Sequence, residues 1–84
     1  RRIPTSQLND ILLPIIEQTP PPVVKGKRVK IKYITQLPTG FPAFAFYCNL
    51  PQYVRESYQR FIEKQVRAHF DFTGTPVQIY FRKK

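Results

Sequence analysis

The residues of this sequence best able to do chemistry are basic, and they fall into three groups. Fourteen Lys and Arg against five Asp and Glu give a formal net charge of +9. Such clusters neutralise phosphates and release counterions, which favours an anionic partner such as nucleic acid. The alternative is a merely solvated surface. The groups are Lys25, Lys27, Arg28, Lys30 and Lys32; Arg55, Arg60, Lys64 and Arg67; and Arg82, Lys83 and Lys84.

Few residues are suited to catalysis or metal binding. Three glycines, Gly26, Gly40 and Gly74, cannot form a phosphate-binding loop. A single His and a single Cys cannot supply the ligands of a structural zinc. We expect His69 at the surface near a helix end, and Cys48 as a buried core thiol. The sequence therefore predicts no catalytic residue, no metal site and no cofactor in this segment.

The glutamates have a simpler explanation than acid–base catalysis. Glu56 and Glu63 lie two helical turns apart, and each has an arginine four residues later, at Arg60 and Arg67. Solvated ion pairs along a helix account for this spacing. Exposed Tyr80 or Tyr53 side chains are candidates for stacking with bases, although either ring could simply pack against the protein.

The first element predicted to position these residues is a helix. Thr5 or Ser6 is expected to cap it, and Pro14 should kink or shorten it. Pro20, Pro21 and Pro22 should end it. The helical spacing of apolar residues comprises Leu8, Ile11, Leu12, Ile15 and Ile16.

Two strands follow. Residues 28–33 alternate, which predicts Val29, Ile31 and Tyr33 on one face and Arg28, Lys30 and Lys32 on the other. Residues 36–42 should form a loop, and residues 43–48 a second strand with Phe44, Phe46 and Cys48 on one face. These strands are expected to form an antiparallel hairpin.

A long amphipathic helix ending near Phe70 and a last strand over residues 77–82 complete the predicted order α-β-β-α-β. The fold class is α+β, with helices on one face of a three-stranded mixed sheet. Because a helix connects the second and last strands, these should run parallel if adjacent.

The overall composition fits one small domain, residues 1–84, in a cytosolic setting. One cysteine allows no internal disulfide, and the apolar runs are too short to span a membrane. The chain begins without Met, which we interpret as a segment of a longer protein.

Several motifs, in order along nearly the whole chain, resemble the C-terminal domains of the Der (EngA) family of bacterial GTPases. They are IPTSQL at residues 3–8, PPPVVKGKR at residues 20–28, KYITQ at residues 32–36, Asn49, the Glu56-Ser57-Tyr58 helix entry and the closing FRKK at residues 81–84.

The resemblance implies a fold like the type II K-homology (KH) domain, which agrees with the order of elements above. It also implies a role in assembly of the large (50S) ribosomal subunit, by association with rRNA or a ribosomal protein and nucleotide-dependent docking on GTPase domains of the same chain. GTP and Mg²⁺ would belong to those absent domains. The alternative is a purely protein-docking regulatory domain that binds no RNA directly.

The resemblance to KH domains is incomplete at one place. RNA-binding KH domains have a GxxG loop before the long helix, where glycines let the backbone approach phosphates. In this sequence Val54, Arg55, Glu56 and Ser57 occupy that place, without a glycine. We therefore expect the basic groups, rather than this loop, to hold any RNA.

Overall fold

The strands β1 (Ile31–Gln36), β2 (Ala43–Cys48) and β3 (Gln78–Lys83) form one mixed sheet in that order, with β1 antiparallel and β3 parallel to the central strand β2. The computed structural model describes residues 2–72 and 74–84. Its elements are α1 (Thr5–Gln18), β1 (Ile31–Gln36), β2 (Ala43–Cys48), a 3-10 turn (Pro51–Tyr53), α2 (Glu56–Phe70) and β3 (Gln78–Lys83). This confirms the predicted α+β order, hairpin and parallel crossover.

The start of α1 differs from the sequence prediction. Thr5 is already the first helical residue, and Pro4 is the N-cap residue, with no side-chain cap. The Pro4 carbonyl accepts the Leu8 amide at 3.1 Å. The prediction of a Thr5 or Ser6 cap is therefore wrong, because proline supplies the extended backbone that precedes the first turn.

Pro14 does not end α1, which is assigned as helix without a break to Gln18. Proline has no amide to donate to the carbonyl four residues earlier, at Asp10. Both Pro14 and Asp10 are exposed, so water can satisfy that carbonyl. The ring lies on the solvent side of the helix, where it is best tolerated.

The first strand begins three residues later than the alternation predicted, at Ile31 instead of Arg28. The side chain of Asn49, just after β2, holds the preceding segment. Its Oδ1 accepts the Lys30 amide at 2.8 Å, and its Nδ2 donates to the Arg28 carbonyl at 3.1 Å. The Asn49 amide also donates to the Lys30 carbonyl at 3.3 Å, so one residue holds this segment through both its side chain and its backbone.

A β-bulge changes which side chains of β1 share a face. Ile31 pairs with Cys48 and Tyr33 with Tyr47, so Lys32 is an extra residue between the two pairs. Cys48 and Tyr47 are consecutive and point to opposite faces. Tyr33 therefore lies on the face opposite to Ile31, and the prediction that the two share a face is wrong.

The free edge of β1 is covered by a side chain of α1. Asn9 Nδ2 donates to the Ile34 carbonyl at 2.9 Å, and Asn9 Oδ1 accepts the Ile34 amide at 2.9 Å. One amide side chain thus pairs both backbone groups of an edge residue. This blocks addition of another strand at that position.

The hydrophobic core lies between the helices and one face of the sheet. In β2, Phe44, Phe46 and Cys48 are fully buried, as predicted. They pack in one cluster with residues of both helices and of the segments around them, among them Leu8, Leu12, Ile16, Tyr58, Ile62, Val66 and Phe70. We call this side of the sheet the helix side and the opposite side the outer face.

Helix α2 ends at Phe70, and its C-cap residue, Asp71, has the left-handed conformation at φ 57. His69 is exposed in its last turn, as the sequence predicted. Over the described part of the chain, neither helix is long and apolar enough to cross a bilayer.

Candidate nucleic-acid interface

The first basic group begins on a tight turn before β1. Val24 and Lys27 exchange two backbone hydrogen bonds, at 3.0 and 2.8 Å. The two residues between them, Lys25 and Gly26, have positive φ angles of 52 and 71. Positive φ at both central positions is typical of a type I′ turn. The turn presents Lys25 and Lys27 to solvent.

The same group then lines an open groove of about 590 Å³ beside the end of α1. Arg28, Lys30 and Lys32 form one wall. The opposite wall is largely apolar, with Leu13, Ile16, Pro20 and Pro21, and also contains Glu17. The groove therefore combines exposed cations with apolar surface.

The third group meets the first at one end of the sheet. Ile31 of β1, Cys48 of β2 and Lys83 of β3 lie side by side in the register. The Lys32 ammonium donates to the Lys84 carbonyl at 3.5 Å, although 52 positions separate them in sequence. We name this place the cationic end. It comprises Lys30, Lys32, Arg82, Lys83 and Lys84, all exposed.

Cys48 is buried beneath the cationic end. Its burial raises the pKa of the thiol, and the positive charges of Lys32 and Lys83 oppose that increase. The neutral thiol packs in the core, as the sequence predicted. It is therefore poorly suited to act as a nucleophile.

The second group comprises the N-cap residue of α2, Arg55, and three residues of that helix, and two of its members are already paired. Arg60 is 3.3 Å from Glu56 in an exposed ion pair. Arg67 is half-buried, pairs with Glu63 at 2.9 Å and donates to the Thr75 carbonyl at 2.6 Å.

The hydrogen bonds of Arg67 tie the helix to the segment leading into β3. The spacing of residues in the sequence predicted the pair with Glu63 but not the hydrogen bond to Thr75. Arg55 and Lys64, the other members of the second group, are exposed.

The segment in place of a GxxG loop forms the entry to α2. Val54 is buried, and Arg55 is the N-cap residue, whose carbonyl accepts the Tyr58 and Gln59 amides. Glu56 occupies the first turn and points a carboxylate to solvent. Because this entry carries side chains and a negative charge, it does not offer the close backbone approach that a glycine loop gives to phosphate.

Three tyrosines share the outer face, and sequence reasoning identified only one of them. Tyr80 is 38% exposed, whereas Tyr53, the other stacking candidate, packs against the core. Tyr33 and Tyr47 stack on each other, with ring centroids 4.8 Å apart. The presence of a tyrosine in each strand was the only indication in the sequence. The alternation alone did not predict that these tyrosines share a face, because the bulge at Lys32 shifts Tyr33 to the other side of β1.

Among residues 2–72 and 74–84, no three His, Cys, Asp or Glu side chains lie close enough together to hold an ion.

The element order α-β-β-α-β, with both helices packed on one face of a three-stranded mixed sheet, is consistent with an α+β KH-like fold. The sequence profile of the family "KH-domain-like of EngA bacterial GTPase enzymes, C-terminal" matches residues 2–82. The chain belongs to this family, which confirms the resemblance found in the sequence.

Relatives named GTPase Der match the chain over nearly its whole length. Identity is 63% to the protein of Porphyromonas gingivalis over 99% of the chain, 61% to that of Christiangramia forsetii over 100%, and 62% to that of Cytophaga hutchinsonii over 100%. The chain spans 19% of the length of each of these relatives. It corresponds to their KH-like C-terminal domain and not to a GTPase domain, so this segment is not the catalytic one.

Proposed function

We propose that this domain binds ribosomal RNA through its cationic end, as a module of a GTPase that acts in assembly of the large ribosomal subunit. The observation that supports this most is the meeting of two basic groups from distant parts of the chain, with the Lys32 ammonium 3.5 Å from the Lys84 backbone carbonyl. Five exposed basic residues gathered at one end of the sheet raise the electrostatic energy of the fold. An anionic partner would relieve that cost.

The distribution of acidic residues supports the same partner. Four of the five carboxylates lie in the helices, and the fifth, Asp71, follows α2. No strand contains an acidic residue, and although Glu17 of α1 lines the groove with Lys30 and Lys32, the sheet end keeps a large excess of positive charge. Phosphates arranged along an RNA backbone are suited to such a row of cations.

The rest of the proposal concerns domains outside this chain. GTP and Mg²⁺ would be bound by the GTPase domains, with which the KH-like domain would dock in a nucleotide-dependent way. Such docking would cover the basic surface in one state and expose it in the other. This role places the protein in the cytoplasm, on ribosomal particles.

The basic residues contribute unequally in this proposal. The cationic end, together with Lys25, Lys27 and Arg28 beside it, forms the main contact. Arg55 and Lys64 are exposed and free to steer RNA over a longer range. Arg60 and Arg67 contribute less, because their guanidinium groups already pair with Glu56 and Glu63.

The direct test measures binding of the chain to fragments of large-subunit rRNA at several salt concentrations. We expect affinity to fall steeply with salt. Lys30→Glu and Lys32→Glu should each weaken binding more than Arg2→Glu. The last variant is a matched control, because it makes the same charge change near Gln36 and Thr39, at the other end of β1.

Equal losses of RNA affinity in all three variants would contradict a localised RNA site. They would show that only the net charge of the domain affects binding. The docking alternative then becomes the better explanation, and the position of the family in a GTPase favours it. Its test is the affinity of this domain for its own GTPase domains with GDP or GTP bound. Equal affinity for both forms would exclude a switch, because such a ligand shifts no equilibrium.

A further inference from the structure

The outer face of the sheet displays a tyrosine on each of the three strands. Tyr33 of β1 pairs with Tyr47 of β2, and Tyr47 pairs in turn with Arg82 of β3. Tyr80 lies two residues before Arg82 and therefore on the same face. These rings form a band across the sheet, opposite to the helices.

Contacts between the side chains order this band. The Tyr33 and Tyr47 rings stack with an interplanar angle of 19°. The Arg82 guanidinium lies 5.4 Å from the centre of the Tyr80 ring, and the Lys84 ammonium 5.5 Å from that of Tyr33. Cation–π contacts of this kind hold long basic side chains beside the rings. The face is thus preorganised before any ligand arrives.

The small residues of β2 leave the rings as the dominant feature of the outer face. Ala45 lies between Thr35 and Tyr80 in the register and is completely buried, as is Ala43. An alanine side chain reaches little beyond the backbone, so its full burial means that larger neighbours lie over it. The surface presented there is formed by tyrosine and threonine side chains.

Charge complementarity indicates what covers this face. The cations at its margin are Lys32, Arg82 and Lys84, and the strands contain no carboxylate to neutralise them. A partner must therefore combine negative charge with flat aromatic groups that stack on tyrosine. Single-stranded nucleic acid has both, in its phosphates and its unpaired bases. An acidic peptide would satisfy the cations but leave the ring faces unused.

We propose that the outer face binds single-stranded RNA by stacking bases on Tyr80 and on the Tyr33–Tyr47 pair, while Arg82, Lys84 and Lys32 hold the phosphates. This deepens the proposed function, on which it rests, by naming the form of RNA and the surface. In this proposal the outer face takes the RNA-binding role that the GxxG loop has in RNA-binding KH domains. The entry of α2 is unsuited to that role, because Glu56 repels phosphate. The RNA contact thereby lies on the sheet and not at the helix entry.

The experiment compares two labelled RNAs of about ten nucleotides, one single-stranded and one in a duplex, at about 0.15 M salt. Binding to the 84-residue chain is followed by anisotropy. The chain has no Trp, so quenching of its tyrosine emission by stacked bases provides an independent signal. We expect tighter binding of the single strand, accompanied by quenching.

Matched substitutions separate stacking from charge. Tyr80→Leu and Tyr33→Leu remove a ring and keep apolar bulk, and each should weaken binding of the single strand about fivefold or more. Tyr80→Phe and Tyr33→Phe keep the ring and should bind within about twofold of the parent. Circular dichroism confirms that each variant is folded. Loss in the Leu variants with retention in the Phe variants supports the proposal.

Two results would overturn it, and they are distinguishable. If the Leu variants bind as the parent does while Lys30→Glu and Lys32→Glu lose affinity, stacking is wrong but the proposed function survives. If neither RNA binds at physiological salt in any variant, both fail, and the outer face is a contact for protein.

Discussion

The two faces of the sheet differ in burial and in the kind of side chain they carry. On β2, Phe44, Phe46 and Cys48 point to the helix side, and Ala43, Ala45 and Tyr47 point outward. On β3, Ile79 and Phe81 pack against the core, whereas Tyr80 and Arg82 remain accessible. Because side chains alternate along each strand, neighbouring residues contribute to the buried core on one face and to accessible surface on the other.

Because of this difference, we expect that substitutions can change stability and binding separately in this domain. The helix side excludes charge and contributes the burial that holds the fold together. The outer face carries aromatic and cationic groups in partial contact with water, where each contributes little to folding. Substitutions on the two faces should therefore differ in what they disturb.

The largest difference is expected between Phe46→Ala and Tyr80→Ala. Phe46 is fully buried and its ring centroid lies 5.4 Å from that of Phe81, so its removal leaves a cavity and should cost about 3–5 kcal/mol. Loss of the half-exposed Tyr80 ring should cost about 1 kcal/mol or less. Urea denaturation measures both. Equal costs would show that the outer face is a second core.

Alkaline pH should also act through the helix side. The Tyr58 hydroxyl donates to the Thr19 carbonyl at 2.8 Å, and burial raises the pKa of Tyr58 from 10.0 to about 12. Because the unfolded chain loses this proton first, the stabilisation is complete below pH about 10. It is lost as the pH rises towards 12, by about 2–3 kcal/mol.

The measurement for Tyr58 is the free energy of unfolding in urea as a function of pH. Tyr58→Phe is the control, because it keeps the ring but has no proton to lose. Lysine deprotonation affects both proteins, so only their difference reports on the hydroxyl. A constant difference between pH 9 and 12 would contradict the assignment.

The cover on the edge of β1 should have an intermediate effect. Asn9→Ala leaves the amide and carbonyl of Ile34 without their side-chain partner, and we expect a loss of about 1–3 kcal/mol. Gln7→Ala, at an exposed site on the same helix, is the control and should change little. If both variants denature alike, Asn9 does not support the edge.

The smallest effect on stability is expected at the cationic margin of the outer face. Lys32→Gln and Arg82→Gln should each change the free energy of unfolding by no more than about 0.5 kcal/mol, because both side chains are exposed. Both should still weaken RNA binding and its dependence on salt. A large loss of stability with unchanged RNA affinity would reverse the roles assigned to the two faces.

Local patterns in the sequence predicted the order and type of the helices and strands, but their bounds were correct only in part. The bounds of β2 were predicted correctly, because Phe44, Phe46 and Cys48 alternate with Ala43, Ala45 and Tyr47 between clear breakers. The end of α2 at Phe70 was also correct. Prediction failed at the start of α1, because Pro4 replaced a hydroxyl cap that the sequence also offered.

The basic groups were identified from composition, but their arrangement was not. No local signal indicates that Lys32 and Lys84 meet, because their proximity depends on the register of three strands. The engagement of Arg67 with Thr75 depends likewise on the path of the chain after α2. Contacts of this kind come from tertiary packing, which local periodicity in the sequence does not predict.

The amino-acid sequence by itself determined the order of elements, the apolar sides of the helices, the buried Cys48 and the excess of positive charge. These features depend on side-chain type and on the fixed periods of helix and strand. Only the tertiary structure decided where Tyr33 points. One extra residue in β1 shifts the alternation, and pairing with Tyr47 across the strands selects that bulge. The physical reason is that pairing with the neighbouring strand decides on which face of the sheet each side chain lies. A local stretch of sequence does not contain the register of that pairing.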